Sequence, residues 1–313
     1  MAGRWWRGAL AALLAGAVVL PLSAAARPGV PAPAPARTAP VTRATLDAAY
    51  AAHRAGAAEA ARSADAHGDR HRAAADRALA DPARHLLAFD GRGTGRVTEV
   101  FGDLARADRV AVLVPGSDTG LDTYGRFRAA ALALHRRLGD ARTAVVAWLG
   151  YETPGTVGLA VTTTGRAEEA APRLREFVAG LRRVTGPGTH VSLLCHSYGS
   201  VVCARAAANL DAADIALVGS PGTGFRTAAG LRTGARVWAA RGAGDWVAHV
   251  PHVRVGLFGT TVGFGTDPVS PAFGARVFAA GDGGHSDYFA PGSPSLTNLA
   301  RIVLGETTEV THD

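Results

Sequence analysis

The stretch that decides the fold is VSLLCHSYGSVVCARAAA, residues 191–208. It opens with a short apolar run typical of a buried strand and ends in residues of high helix propensity. Ser197 therefore lies in a predicted strand-to-helix turn, where a strained serine needs small neighbours two residues away on each side. Gly199 is that neighbour on the helix side and Cys195 on the strand side. This pattern favours a nucleophilic serine, and a serine that only caps the helix is the alternative.

Short apolar runs alternate with helical patterns from His85 onward, which is typical of βαβ units and a mainly parallel α/β sheet. The first two runs have no helix between them and can form an antiparallel edge. We predict eight strands: His85–Phe89, Arg96–Phe101, Val110–Val114, Ala144–Trp148, Val191–Cys195, Ile215–Val218, Arg236–Ala240 and Arg276–Ala279.

A nucleophilic serine needs a base and a carboxylate that orients the base. Asp245 follows the predicted strand Arg236–Ala240 in a glycine-rich loop, and His285 follows the last predicted strand. Because parallel strands end at the same edge of a sheet, we expect Ser197, Asp245 and His285 to lie together. Other residues stay open as the acid or the base: Asp267, Asp282, Asp287, His249 and His252.

The predicted strand Val110–Val114 runs into a glycine-containing turn at residues 115–120. We predict that the backbone N–H groups of Ser117 and Tyr198 bind the oxyanion of an acyl-transfer reaction, although these glycines also suit an ordinary turn. The chemistry needs no metal and no organic cofactor. The spacing of His249 and His252 allows a metal pair, but no third ligand stands at a typical distance along the chain.

Five stretches are distinctive together: His85–Asp90, Val110–Gly116, His196–Ser200, Gly265–Pro268 and Gly284–Tyr288. In these stretches the chain resembles the α/β-hydrolase superfamily and, more closely, an actinobacterial α/β-hydrolase family catalogued as a domain of unknown function. The resemblance implies the α/β-hydrolase fold, the nucleophile role for Ser197 and the base role for His285. The assignment of Asp245 as the acid rests on its position after a predicted strand. Cys195 stands where most members of the family have glycine.

The chain has 313 residues, of which 48% are hydrophobic, enough for one large catalytic domain with an appendage. The formal net charge is +7, and all 33 basic residues are arginine. We attribute this charge to compositional bias and expect no nucleic-acid partner, because no recognition module accompanies it. Cys195 and Cys203 are the only cysteines. They can form one bridge or remain buried thiols.

The first 26 residues have the pattern of a signal peptide. Arg4 and Arg7 precede an apolar run, and small residues precede Arg27. An uncleaved anchor is the alternative. Cleavage would leave a secreted, extracellular protein without a stable membrane span.

Three further segments follow. We predict a Pro/Ala-rich linker at 27–40, an Ala/Arg-rich helical appendage at 41–84 and the catalytic domain at 85–313. The appendage has few large apolar residues, so its helices are expected to lie loosely on the main domain or to be partly disordered.

Together these features predict a secreted serine hydrolase that cleaves acyl esters of a small-molecule or lipid-like substrate through an acyl-enzyme. A serine peptidase or amidase with the same triad and a non-catalytic extracellular binding protein remain alternatives. The segment 246–275 is either a flap that lines an apolar acyl pocket or an insertion packed on the core. The oligomeric state stays open.

Overall fold

An eight-stranded sheet forms the centre of the computed structural model, which describes residues 31–156, 159–250, 255–257 and 260–312. The strands of the described residues are β1 (His85–Asp90), β2 (Arg96–Phe101), β3 (Arg109–Val114), β4 (Thr143–Leu149), β5 (His190–His196), β6 (Asp214–Val218), β7 (Arg236–Ala240), β8 (Val255–Leu257), β9 (Thr260–Val262) and β10 (Arg276–Val277). Strands β8 and β9 form a separate antiparallel hairpin, and the other eight belong to the sheet.

The strand order in the sheet is β1-β2-β4-β3-β5-β6-β7-β10. Strand β2 is antiparallel to both of its neighbours, and the remaining pairs are parallel. The mostly parallel eight-stranded sheet and its antiparallel edge are therefore confirmed. Because β3, β5, β6 and β7 lie side by side and run in one direction, the loops that follow them meet at one edge.

Helices cover both faces of the sheet and make two separate hydrophobic cores. The helices of the described residues are α1 (Leu46–Ala66), α2 (Arg70–Leu79), α3 (Tyr124–Leu138), α4 (Gly165–Thr185), α5 (Gly199–Ala206) and α6 (Pro294–Leu304). The helices α4 and α5 pack on one face of the sheet, and α3 and α6 pack on the other. Helices α3 and α4 are amphipathic, with their apolar sides towards the sheet.

The N-terminal helix α1 packs closely on the edge strand β1, and α2 packs on α1, so the prediction of a loosely placed or partly disordered appendage is wrong. The side chains of Leu46 and Tyr50 join one core of the sheet, and Leu79 joins the other. Alanines fill the rest of this contact because their small side chains let the backbones approach closely. The buried alanines are Ala49, Ala57, Ala60, Ala61, Ala64 and Ala73.

The last strand of the sheet is shorter than predicted, ending at Val277 rather than Ala279. Beyond it, the N–H of Phe278 still donates to Ala239, but that of Ala279 donates to Thr311 in the C-terminal segment. The chain therefore leaves the sheet two residues early. Among the residues that the structure describes, no helix is long and apolar enough to cross a membrane. The predicted signal peptide and residues 27–30 of the linker lie outside that part.

Candidate active site

The predicted turn between β5 and α5 holds Ser197 in a left-handed backbone conformation, with φ +53°. Its N–H donates to the carbonyl of Val218 at 3.0 Å, which fixes the turn against β6. A Cβ at Gly199 would lie 2.5 Å from the carbonyl oxygen of Val114, so any larger residue would collide with backbone there. The packing therefore explains why glycine follows the serine by two residues.

The loop after β3 passes closely over the serine. A Cβ at Gly116 would lie 2.6 Å from the Cβ of Ser197, and this contact needs glycine. The next residue, Ser117, lines the same cavity as Ser197 and Tyr198. Tyr198 is the N-cap of α5, where backbone N–H groups have no partner within the helix. The structure thus brings both predicted oxyanion donors to the cavity beside the serine.

His285 joins Ser197 to Asp245. The Ser197 hydroxyl lies 2.9 Å from His285 Nε2, and His285 Nδ1 lies 2.9 and 3.0 Å from the two carboxylate oxygens of Asp245. Because a carboxylate only accepts hydrogen bonds, Nδ1 carries the proton and Nε2 is free to accept from the serine. This geometry suits a base that removes the serine proton.

Asp245 is 1% exposed and accepts two further hydrogen bonds, from the Tyr288 hydroxyl and the N–H of Val247. Burial alone raises the pKa of this carboxyl. The hydrogen bonds from His285, Tyr288 and Val247 outweigh burial, so the pKa of Asp245 lies below its ordinary value. The carboxylate consequently stays ionised and can stabilise a positive charge on His285.

Two aromatic rings lie beside the imidazole of His285. The ring of His196 is centred 4.7 Å away, and its Nε2–H donates to the backbone carbonyl of His285 at 2.7 Å. Burial, and then the nearby His285, lower the pKa of His196 to about 4, so it is neutral near pH 7. The ring of Trp246 is centred 4.8 Å from that of His285.

Sequence reasoning gave no role to Tyr288 and His196, and it placed Trp246 in the segment predicted as a flap or an insertion but not beside the base. Each stands within three residues of a predicted catalytic residue, which was the available signal. Their contacts form only where three separate loops come together in the fold. No local sequence pattern predicts these contacts.

Two of the other candidate acids have different partners. Asp267 pairs with Arg241 at 2.6 Å, and Asp287 accepts a hydrogen bond from the N–H of Gly284 within its own loop. His249 lies at the end of an exposed helical turn that starts at Trp246, and His252 lies outside the described residues. In the part of the chain described, no group of three or more histidine, cysteine or carboxylate side chains is arranged so that it could hold a metal ion.

A cavity of about 830 Å³ opens over Ser197 and extends to both faces of the sheet. On the α4 side its wall includes Phe264, which belongs to one core of the sheet. On the α3 side the wall includes Phe127, Ala130 and Phe289, which pack against the other core. A cavity of this size, mostly apolar with a few polar groups at its centre, can hold a small-molecule substrate.

The described residues of the segment 246–275 contribute both to the cavity wall and to the core. Trp246, Val247, Val250 and Phe264 line the cavity, while Phe273 is 1% exposed within the core. Phe258 lies outside the described residues.

A disulfide joins Cys195 to Cys203, which settles the choice that the sequence left open between a bridge and free thiols. The bridge ties the end of strand β5 to helix α5, on either side of Ser197. Cys195, in the place of the usual glycine, is fully buried and fits the turn.

A strained serine, an imidazole and a carboxylate at the carboxyl edge of a mostly parallel, helix-flanked sheet define the class of α/β hydrolases. A family model described as alpha/beta hydrolase matches residues 90–255 of the 313. The chain belongs to this family and has its fold.

Two curated relatives come from Mycobacterium tuberculosis. The uncharacterized protein Rv2079 is 32% identical over 269 residues, which cover 73% of this chain and 40% of that protein. The uncharacterized protein Rv0963c is 34% identical over 170 residues, which cover 49% of this chain and 63% of that protein. The chain therefore spans about two fifths of the length of the first relative.

Two solved structures are similar in fold. Esterase PE8 has a TM-score of 0.46 at 19% identity, covering 66% of this chain and 97% of that one. A serine hydrolase without a lid from Xanthomonas campestris has a TM-score of 0.42 at 17% identity, covering 68% of this chain and 88% of that one. At these identities the similarity concerns the fold alone.

Proposed function

We propose that this α/β hydrolase is a serine esterase that cleaves acyl esters through a covalent acyl-enzyme. The observation that carries the proposal is the continuous hydrogen-bonded series from Ser197 through His285 to Asp245, with the serine in a strained turn. The apolar cavity over the serine supports an acyl substrate, because acyl chains are apolar and the reacting carbonyl is polar.

The first half of the reaction acylates the serine. The Ser197 oxygen attacks the ester carbonyl while His285 Nε2 takes its proton, and Asp245 stabilises the imidazolium that forms. The N–H groups of Ser117 and Tyr198 bind the negative charge on the carbonyl oxygen, each contributing about 3 kcal/mol to the barrier reduction. His285 then gives the proton to the leaving alcohol oxygen, and the bond between the carbonyl carbon and that oxygen breaks.

The second half repeats these steps with water as the nucleophile. His285 removes a proton from the water, the acyl carbon forms a bond to its oxygen, and the proton goes to Ser197 as the acid leaves. Each residue therefore acts twice, and the reaction regenerates the enzyme.

The test uses a fluorophosphonate probe, which bonds covalently to activated serines. The full chain should be labelled, the Ser197→Ala variant should not, and the matched Ser63→Ala variant on α1 should be labelled like wild type. An unlabelled wild type, or equal labelling of Ser197→Ala, would remove the enzymatic proposal and favour a binding protein. A panel of nitrophenyl esters and peptide nitroanilides then separates an esterase from an amidase, and faster amide cleavage would contradict the ester assignment.

We also propose that residues 1–26 are a cleaved export signal and that the protein works outside the cell. The disulfide between Cys195 and Cys203 supports this proposal, because disulfides persist in oxidising compartments. N-terminal sequencing of the protein recovered from an exporting host should give Arg27 as the first residue. An intact residue 1 in that material would contradict cleavage.

A further inference from the structure

The position of the leaving group follows from the position of the base. His285 Nε2 lies 2.9 Å from the Ser197 oxygen, and in the proposed reaction this same nitrogen protonates the departing alcohol. The alcohol oxygen must therefore come within hydrogen-bond distance of that nitrogen. The rest of the alcohol must lie beside the imidazole ring.

Of the aromatic neighbours that the described residues give this imidazole, only one leaves much of its surface accessible. Tyr288 is 2% exposed, and His196 is bonded to the backbone of His285. Trp246 is 53% exposed, lines the same cavity and is the one exposed large hydrophobic side chain in the described part of the chain. The alcohol is therefore placed next to an accessible indole.

The local sequence fixes this indole relative to the base. Asp245 and Val247 are each 1% exposed, and the N–H of Val247 donates to the Asp245 carboxylate at 2.9 Å. With both neighbours buried, the side chain of Trp246 projects outward from the short helical turn. Its ring is tilted by 51° to that of His285, so an accessible indole surface stands beside the base.

We propose that Trp246 is the leaving-group wall of the active site and that it selects esters whose alcohol carries a flat aromatic ring. This inference rests on the proposed esterase function. An indole binds another ring better than a puckered saturated group, because offset and edge-to-face contacts between rings add to the burial of apolar area. The preference should be roughly fivefold, the size expected for one aromatic pair.

The test compares two butanoate esters, benzyl butanoate and cyclohexylmethyl butanoate. Both release a primary alcohol of similar size, but only one alcohol has a flat ring. The ratio of their kcat/KM values is taken within each variant, so a uniform loss of activity cancels. Wild type should favour the benzyl ester about fivefold, Trp246→Phe should retain most of this preference, and Trp246→Ala should bring the ratio close to one.

The matched control is Phe264→Leu. Phe264 lines the same cavity but packs edge-on against Tyr198, with ring centroids 5.8 Å apart, rather than against His285. This variant should keep the benzyl preference. Equal rates of the two esters in wild type, or a preference that survives Trp246→Ala, would overturn the inference.

Failure of the inference is distinguishable from failure of the esterase proposal. If fluorophosphonate labels Ser197 and both esters turn over, but the ratio does not respond to position 246, only the inference fails. If wild type is neither labelled nor active, the esterase proposal itself fails. Labelling of Trp246→Ala by the probe shows that the variant is folded with its triad assembled.

Discussion

Each edge of the parallel sheet holds a buried aspartate bonded to a histidine. At the carboxyl edge, Asp245 accepts a hydrogen bond from His285. At the amino edge, Asp214 at the start of β6 accepts one from His190 at 2.8 Å. Both carboxylates are at most 1% exposed. The two pairs look alike, but their surroundings give them different uses.

The difference lies in the remaining partners of each carboxylate. Arg236 binds Asp214 through two nitrogens at 2.8 and 2.9 Å, and the indole N–H of Trp238 donates to it as well. Asp245 is bonded to His285, Tyr288 and a backbone N–H, none of which carries a permanent charge. An arginine neutralises Asp214, whereas the charge of Asp245 remains available to an imidazolium. A buried Asp–His pair is therefore not by itself a sign of catalysis.

The largest effect on activity is expected from a substitution at the carboxyl edge. Asp245→Asn should lower kcat for a nitrophenyl ester on the order of 10³–10⁴-fold, because the amide no longer holds the imidazole in the right tautomer. The stability of the fold should change much less, since the amide keeps the shape of the side chain. A kcat within tenfold of wild type, in a variant that remains folded, would show that another carboxylate is the acid.

At the amino edge, a substitution should lower the stability of the fold and leave the activity unchanged. Asp214→Asn should lower the free energy of unfolding by about 3 kcal/mol, because Arg236 loses its ionic partner. This value is at the low end of the range for buried ion pairs because Arg236 is partly exposed. The kcat of the folded fraction should equal that of wild type. Urea unfolding and ester hydrolysis measure the two quantities, and a selective loss of kcat would contradict a purely structural role.

The pH dependence of stability also distinguishes Asp214 as a structural carboxylate. Burial raises the pKa of Asp214, but hydrogen bonds from His190, Arg236 and Trp238 outweigh it and lower the pKa to about 2, below the ordinary value of 3.8. The stability that Asp214 provides is therefore fully present above about pH 4 and is lost as the pH falls towards 2. Wild type should lose stability through this window more steeply than Asp214→Asn. If the free energy of unfolding fell equally with pH in the two proteins, Asp214 would not be the group responsible for the loss.

The smallest effect is expected in the cavity at the carboxyl edge. Phe264→Ala should shift the preference among nitrophenyl esters towards longer acyl chains by several-fold, because it enlarges an apolar wall beside Tyr198. The ratio of kcat/KM between dodecanoate and butanoate esters measures the shift. An unchanged ratio would mean that Phe264 packs on the core without contacting the acyl chain.

The order of elements and the loops that carry Ser197, Asp245 and His285 could be predicted from the sequence. Apolar runs and glycine-rich turns are local patterns, and the carboxyl ends of parallel strands must meet at one edge. The helices α1 and α2 show where this reasoning stops. Their burial depends on alanine faces through which α1 packs closely on β1 and α2 packs on α1. This packing follows from shape, and composition alone does not reveal shape.

By itself the sequence determined the α/β class, the strained turn at Ser197 and the edge at which its partners gather, because each depends on nearby residues. Only the tertiary structure decided that the carboxylate of Asp245 is paired with His285, whereas the carboxylate of Asp214 is neutralised by Arg236. It also decided that Tyr288 and Trp246 stand beside the base and that Cys195 is bridged. These contacts join residues far apart in the chain, and their strength depends on distance and burial, which arise only on folding.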